Sequence, residues 1–198
     1  MAYHLITGNE AVALGALRAG VKVVSGYPGT PSSGALARLL QMELHPARHV
    51  EWSTNEKVAL EIAGGVAWAG QRAMCTMKMS GVNVVSDSLY SIAHSGVTGG
   101  LVVYVADDPG AHAGMVEQDS RWYARMMDMP MLEPTTVAEA YRIVPLAFEL
   151  SERCGSPVFV RSVTAIANSH APVEVKEPIP PEERKPILER DITKYTKA

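Results

Sequence analysis

Cysteine is scarce in this chain, with two among 198 residues. Two thiols cannot build a disulfide framework, carry an Fe–S cluster or furnish a four-cysteine zinc site. No apolar run approaches the roughly 20 residues needed to cross a bilayer, and no charged segment with an apolar core opens the chain. Neither sign of charge dominates, because 18 Lys and Arg stand against 21 Asp and Glu. That balance disfavours a broad nucleic-acid surface. Together these absences point to a cytoplasmic protein with reduced thiols, no membrane contact and no nucleic acid partner.

Several chemical signatures are also missing. There is no G-x-G-x-x-G after a strand, no phosphate loop ending in Gly-Lys-Ser/Thr, no H-E-x-x-H and no G-x-S-x-G. The six histidines are scattered with no pair at ligand spacing, so no metal site is expected. Cys75, inside an apolar stretch, and Cys154, beside Gly155, read as packing residues.

What the chain does contain is apolar sequence, 47% of it, in alternating short and long segments. Val21–Ser25, His49–Ser53, Ala73–Met77, Leu101–Ala106 and Pro157–Val163 read as strands, with a weaker one at Pro130–Leu132. Helical patterns lie between them, over about 10–19, 33–42, 55–69, 82–93, 118–127 and 137–153. Three of the helices open with Ser/Thr-x-x-Glu, at Thr7/Glu10, Ser53/Glu56 and Thr136/Glu139, which predicts capping boxes. The strands are almost continuously apolar. They therefore predict an α/β fold, a parallel sheet covered by helices on both faces. From Ala171 to Ala198 the composition changes: 12 of 28 residues are charged and five are proline. The expected division is a domain over 1–170 and a linker or surface strap over 171–198 leading to something else.

In parallel sheets ligands gather at the carboxyl ends of the strands. The loop there over Tyr27-Pro28-Gly29-Thr30-Pro31-Ser32-Ser33 is stiffened by proline and carries hydroxyls at a helix start. Ser32 could serve only as the cap of that helix, with the prolines merely shaping the turn. Glu56 stands at another strand-to-helix junction, ahead of an almost wholly apolar helix. It could do no more than complete the Ser53 capping box. A carboxyl group in that setting is also partly desolvated, which suits it to share a proton with a bound base. Gly64, Gly65 and Gly70 in the same helix suggest close packing against a neighbouring element or subunit.

The segments VVSGYPGTPSS, EWSTNEKVALEIAGGVAWAG and ADDPGAHAGMVEQDSRWYARMMDMPMLEP resemble the α subunits of indolepyruvate ferredoxin oxidoreductases. More widely they resemble the thiamine-diphosphate-dependent 2-oxoacid:ferredoxin oxidoreductases, over roughly Leu5 to Thr164. The resemblance implies a pyrimidine-binding (Pyr) domain. It assigns Pro28, Gly29 and Thr30 as cofactor contacts and Glu56, 14 residues before Gly70, as the catalytic acid at N1′ of the aminopyrimidine. It further implies thiamine diphosphate with Mg²⁺, shared with a diphosphate-binding domain or subunit whose Gly-Asp-Gly motif is not in this sequence. Fe–S clusters on partners, a ferredoxin-like acceptor, coenzyme A, a small 2-oxo acid and an oligomeric assembly belong to the same expectation. Pyruvate-type relatives place an arginine near the Asp107-Asp108 loop, so two aspartates there suggest an aryl 2-oxo acid. Two competing readings are the Pyr subunit of a non-redox thiamine diphosphate decarboxylase and a non-catalytic, degenerate Pyr domain.

Overall fold

A computed structural model describes residues 2–187. The expected strands form a six-stranded parallel sheet from β2 (Val23–Gly26), β3 (His49–Trp52), β4 (Ala73–Lys78), β5 (Leu101–Asp107), β6 (Met131–Leu132) and β7 (Val158–Val163). Their order across the sheet is β3-β2-β4-β5-β7-β6, so β4 and β5 are central and buried along their length. The period of two divides their side chains between the faces. Met74, Val102, Tyr104 and Ala106 enter a core under α1 (Gly8–Arg18), α2 (Ser33–Leu40) and α6 (Val137–Cys154). Cys75, Met77, Val103 and Val105 enter the opposite core, under α3 (Glu56–Trp68), α4 (Met79–Ser95) and α5 (Arg121–Met126). Both faces are thus covered by helices.

Two helix starts differ from the sequence expectation. Thr7 and Glu10 form the expected capping box of α1. The cap of α3 is Asn55, whose side chain accepts from the Val58 N–H at 2.9 Å, so Ser53 and Glu56 form no box. The Ser53 hydroxyl donates to Glu51 instead. Asn55, extended and only three residues from Val58, is simply the nearer cap. At α6, Thr136 caps as expected, while Glu139 accepts from Thr135 rather than from Thr136.

The segment after residue 170 also needs correcting, because it begins as a strand. β8 (His170–Val175) pairs antiparallel with β1 (Ala2–Thr7), residue for residue from Ala2↔Val175 to Thr7↔His170. Neither strand was expected. Pro172 is tolerated because the sheet has only two strands and so consists of edges. The following stretch crosses the amino edge of the large sheet. The Ile179 N–H donates to Leu17, Arg48 donates to the Ile179 carbonyl, and the Ile187 N–H donates to Gly70. Residues 188–198 of the expected linker lie outside the described residues.

This crossing is anchored electrostatically. Arg72 is buried, makes a two-pronged pair with Glu152 (both contacts 2.8 Å) and donates to the Ala19 carbonyl at 2.9 Å. Arg184 joins Glu152 from the crossing segment. Burial alone would raise the Glu152 pKa, but the hydrogen bonds and charges of Arg72 and Arg184 outweigh it and hold the group below its ordinary value. A depressed folded pKa contributes stability above the unfolded value and loses it as pH falls. Glu152→Gln should therefore cost about 2–3 kcal/mol, below the range for a fully buried pair because Glu152 retains some exposure. Urea unfolding across pH should show the variant losing less stability than wild type on acidification below the usual glutamate range. Parallel pH curves would contradict this.

Candidate active site

Because β2 to β5 and β7 are parallel, their carboxyl ends share one edge, where every expected site residue lies. The loop after β2 is held from below. Asn9, buried in α1, donates to the Pro31 carbonyl at 2.8 Å and accepts from the Tyr104 hydroxyl at 2.9 Å. The loop is also tied to itself. Ser33 accepts from the Gly29 N–H and Ser32 donates to the Gly29 carbonyl, each at 2.7 Å. Ser32 therefore does not cap α2 with its side chain. Pro28 and Thr30 are exposed on this anchored turn, and Gly29 is half-buried.

Glu56 occupies the first turn of α3 and is only 8% exposed. It faces the start of α4. A Cβ built on Gly81 would stand 2.8 Å from both Cγ and Oε1 of Glu56. The carboxyl group takes no hydrogen bond from any described residue, and its charge adds to the burial that raises the Cys75 thiol pKa. Glu61 is placed differently: it accepts from Ser88 at 2.7 Å and faces Lys57 on the solvent side. The glycines of α3 serve three purposes. Gly64 receives Ile92 of α4, Gly65 opens to solvent, and Gly70 ends the helix at φ +79 beneath Ile187.

β4 passes into α4 with no intervening loop, and Lys78, at the junction, offers no side-chain cap. Its stem lies across Gly29, with Cγ 2.8 Å from where a Cβ would be. The sequence pattern singles out neither Lys78 nor Gly81. A glycine in the first turn of a helix that directly follows a strand was the available signal.

The two aspartates at the end of β5, Asp107 and Asp108, point inward. Asp107 pairs with buried Arg161 at 2.8 Å and accepts from the Ser120 N–H at 3.0 Å, while Arg161 also pairs with Glu133. Asp108 accepts from the Ala113 N–H at 2.6 Å and the Thr164 hydroxyl at 2.7 Å. These bonds, with His112, hold its carboxyl below the ordinary range. The pair thus ties down Ala113 and Ser120 of the loop over 109–120, whose Met115 is fully exposed. A cavity of about 580 Å³, lined by Arg18, Arg72, Tyr141 and Pro172 among others, lies at the opposite edge, away from Glu56.

The family model described as "Pyruvate flavodoxin/ferredoxin oxidoreductase, thiamine diP-bdg" matches residues 14–198. The chain belongs to this family. It is 45% identical over 176 residues to the indolepyruvate oxidoreductase subunit IorA of Archaeoglobus fulgidus, a match covering 86% of this chain and 28% of that relative. It is 25% identical over 185 residues to the ketoisovalerate oxidoreductase subunit VorB of Methanothermobacter thermautotrophicus, covering 89% of this chain and 52% of that protein. In fold it matches a 2-oxoglutarate:ferredoxin oxidoreductase from Magnetococcus marinus, with a TM-score of 0.71 at 20% identity, covering 93% of this chain and 33% of that one. The chain thus spans under a third of its indolepyruvate oxidoreductase relative. The α/β thiamine-diphosphate-binding fold expected from sequence is the fold observed.

The geometry makes Gly81 and Glu56 a coupled pair. Gly81→Ala should gain helix propensity but press on the Glu56 side chain, whereas in a Glu56→Ala background only the gain remains. A double-mutant cycle read by urea unfolding should give a coupling of about 1 kcal/mol. Additive effects would mean that the two side chains do not meet.

Proposed function

We propose that this chain is the pyrimidine-facing wall of a thiamine-diphosphate-dependent 2-oxoacid:ferredoxin oxidoreductase acting on indolepyruvate or another aryl 2-oxo acid. The observation that carries this reading is Glu56, a residue only 8% exposed whose carboxyl group takes no hydrogen bond from any described residue, at the carboxyl edge of a parallel sheet. A group left in that state suits a ligand that brings its own nitrogen. Bound thiamine diphosphate supplies the carbon chemistry, as the electron sink through which a 2-oxo acid loses carbon dioxide. Glu56 would hold the proton at N1′ of the aminopyrimidine, and Gly81 leaves its carboxyl group room to lie there. The exposed turn of Pro28, Gly29 and Thr30 would meet the ring or the substrate from the other side, its shape held by Asn9, Ser32 and Ser33.

The same reading assigns the diphosphate and Mg²⁺ to a diphosphate-binding domain or subunit, and the Fe–S clusters to further partners that hand electrons to a ferredoxin-like acceptor. Coenzyme A would take up the acyl product. No helix among the described residues is long and apolar enough to cross a membrane; with the balanced charge, this supports a cytoplasmic assembly. The partner would dock on the outer face of α3, where Val58, Gly65 and Trp68 lie exposed. The Trp68 Nε1 already donates to the Gly96 carbonyl at 2.8 Å, so its ring is presented in a fixed pose.

Calorimetry with thiamine diphosphate and Mg²⁺ tests the division of labour. The isolated chain should bind weakly, and addition of the diphosphate-binding partner should raise the affinity by about 10²-fold or more. Trp68→Arg should cancel most of that gain by blocking docking. Tight 1:1 binding by the isolated chain would contradict the assignment.

A further inference from the structure

The proposed substrate carries a carboxylate, and a carboxylate in a partly enclosed site needs a cation or several N–H donors. Several cations around the carboxyl edge are engaged by carboxylates. Arg161 is paired with Asp107 and Glu133, Arg121 with Asp119, and Lys57 with Glu61 and Asp87. Lys78 pairs with no carboxylate among the described residues.

Its position is set by packing. Lys78 is the last residue of β4, beside Ala106 of β5, so the loops after β2 and β5 flank it. It is half-buried, and its methylene stem rests on Gly29 of the turn that carries Pro28 and Thr30. Three residues on, Gly81 faces the Glu56 carboxyl group. One short stretch, 78–81, therefore joins the turn to the carboxyl group. The first N–H groups of α4 receive no side-chain cap there, and such groups favour a negative charge.

Resting on the function proposed above, we infer that Lys78 is the specificity residue that receives the carboxylate of the 2-oxo acid. A lysine can do this as a point charge at the end of a stem whose apolar part is already packed. Gly29 is then required as the bed of that stem, because any side chain there would lift the lysine. The end of β5 carries two inward-facing aspartates and no cation. The cation is supplied instead from the neighbouring strand.

The test uses the assembled enzyme with Lys78→Met, which keeps the stem, and Lys78→Arg, which keeps the charge. In Lys78→Met the KM for indolepyruvate should rise roughly 10- to 100-fold, with thiamine diphosphate affinity and exchange of its C2 proton unchanged. Wild type should bind indole-3-propionate more tightly than indole-3-propionamide, as measured by calorimetry. That preference should vanish in Lys78→Met and largely return in Lys78→Arg. A preserved preference in Lys78→Met, or an equal fall in cofactor affinity, overturns the assignment and leaves the proposed function standing. Absence of C2-proton exchange in wild type overturns both.

Discussion

The close approach of α3 and α4 is the constraint on which the site depends. Both helices start at the carboxyl edge of the sheet and run side by side, touching at Glu56–Gly81, Glu61–Ser88 and Gly64–Ile92. Glycine at both ends of this seam lets the backbones close up, while Ser88 in the middle donates to Glu61. The consequence is chemical. Glu56 is buried by the approach without being neutralised by a partner, whereas Glu61, one turn on, is solvated and engaged. Two glutamates five residues apart thus receive opposite environments from one packing contact.

The sheet's contribution is to carry rigidity from its centre to that edge. Tyr104, buried in β5, holds Asn9, and Asn9 holds the Pro31 carbonyl, so the turn of Pro28 to Thr30 is tied through the core rather than left as a surface loop. On the other side of β4 the aspartates at the end of β5 anchor the long 109–120 loop at Ala113 and Ser120, with Met115 exposed between them. One anchored turn and one loop with an exposed tip flank a direct strand-to-helix junction. This is an open wall, in keeping with a site completed from a second domain.

Strands and helices of the main layer were legible because continuous Val-rich runs and 3.6-residue apolar periods are strong local signals. The two-stranded sheet was not. β1 exposes Tyr3 and Leu5, and β8 is a six-residue alternation inside a stretch dominated by proline and charge, so composition concealed the pairing. The position of Glu56 at the carboxyl edge was legible from the strand-to-helix junction, but its freedom from the capping box was not, since Asn55 and Ser53 are both good caps and Asn55 takes the role. Lys78 and Gly81 escaped notice because their meaning lies in what they touch across the fold. No local pattern encodes such a contact.

The central claim is that Glu56, and not Glu61, governs the proton at N1′. The most direct measurement is exchange of the C2 proton of thiamine diphosphate bound to the assembled enzyme. Glu56→Gln preserves shape and hydrogen bonding but not the exchangeable proton, so exchange should slow by about 10²- to 10⁴-fold. Glu61→Gln, which removes only a solvent-side contact with Ser88 and Lys57, should exchange at the wild-type rate. Wild-type exchange in Glu56→Gln, or a larger loss in Glu61→Gln, would contradict the claim.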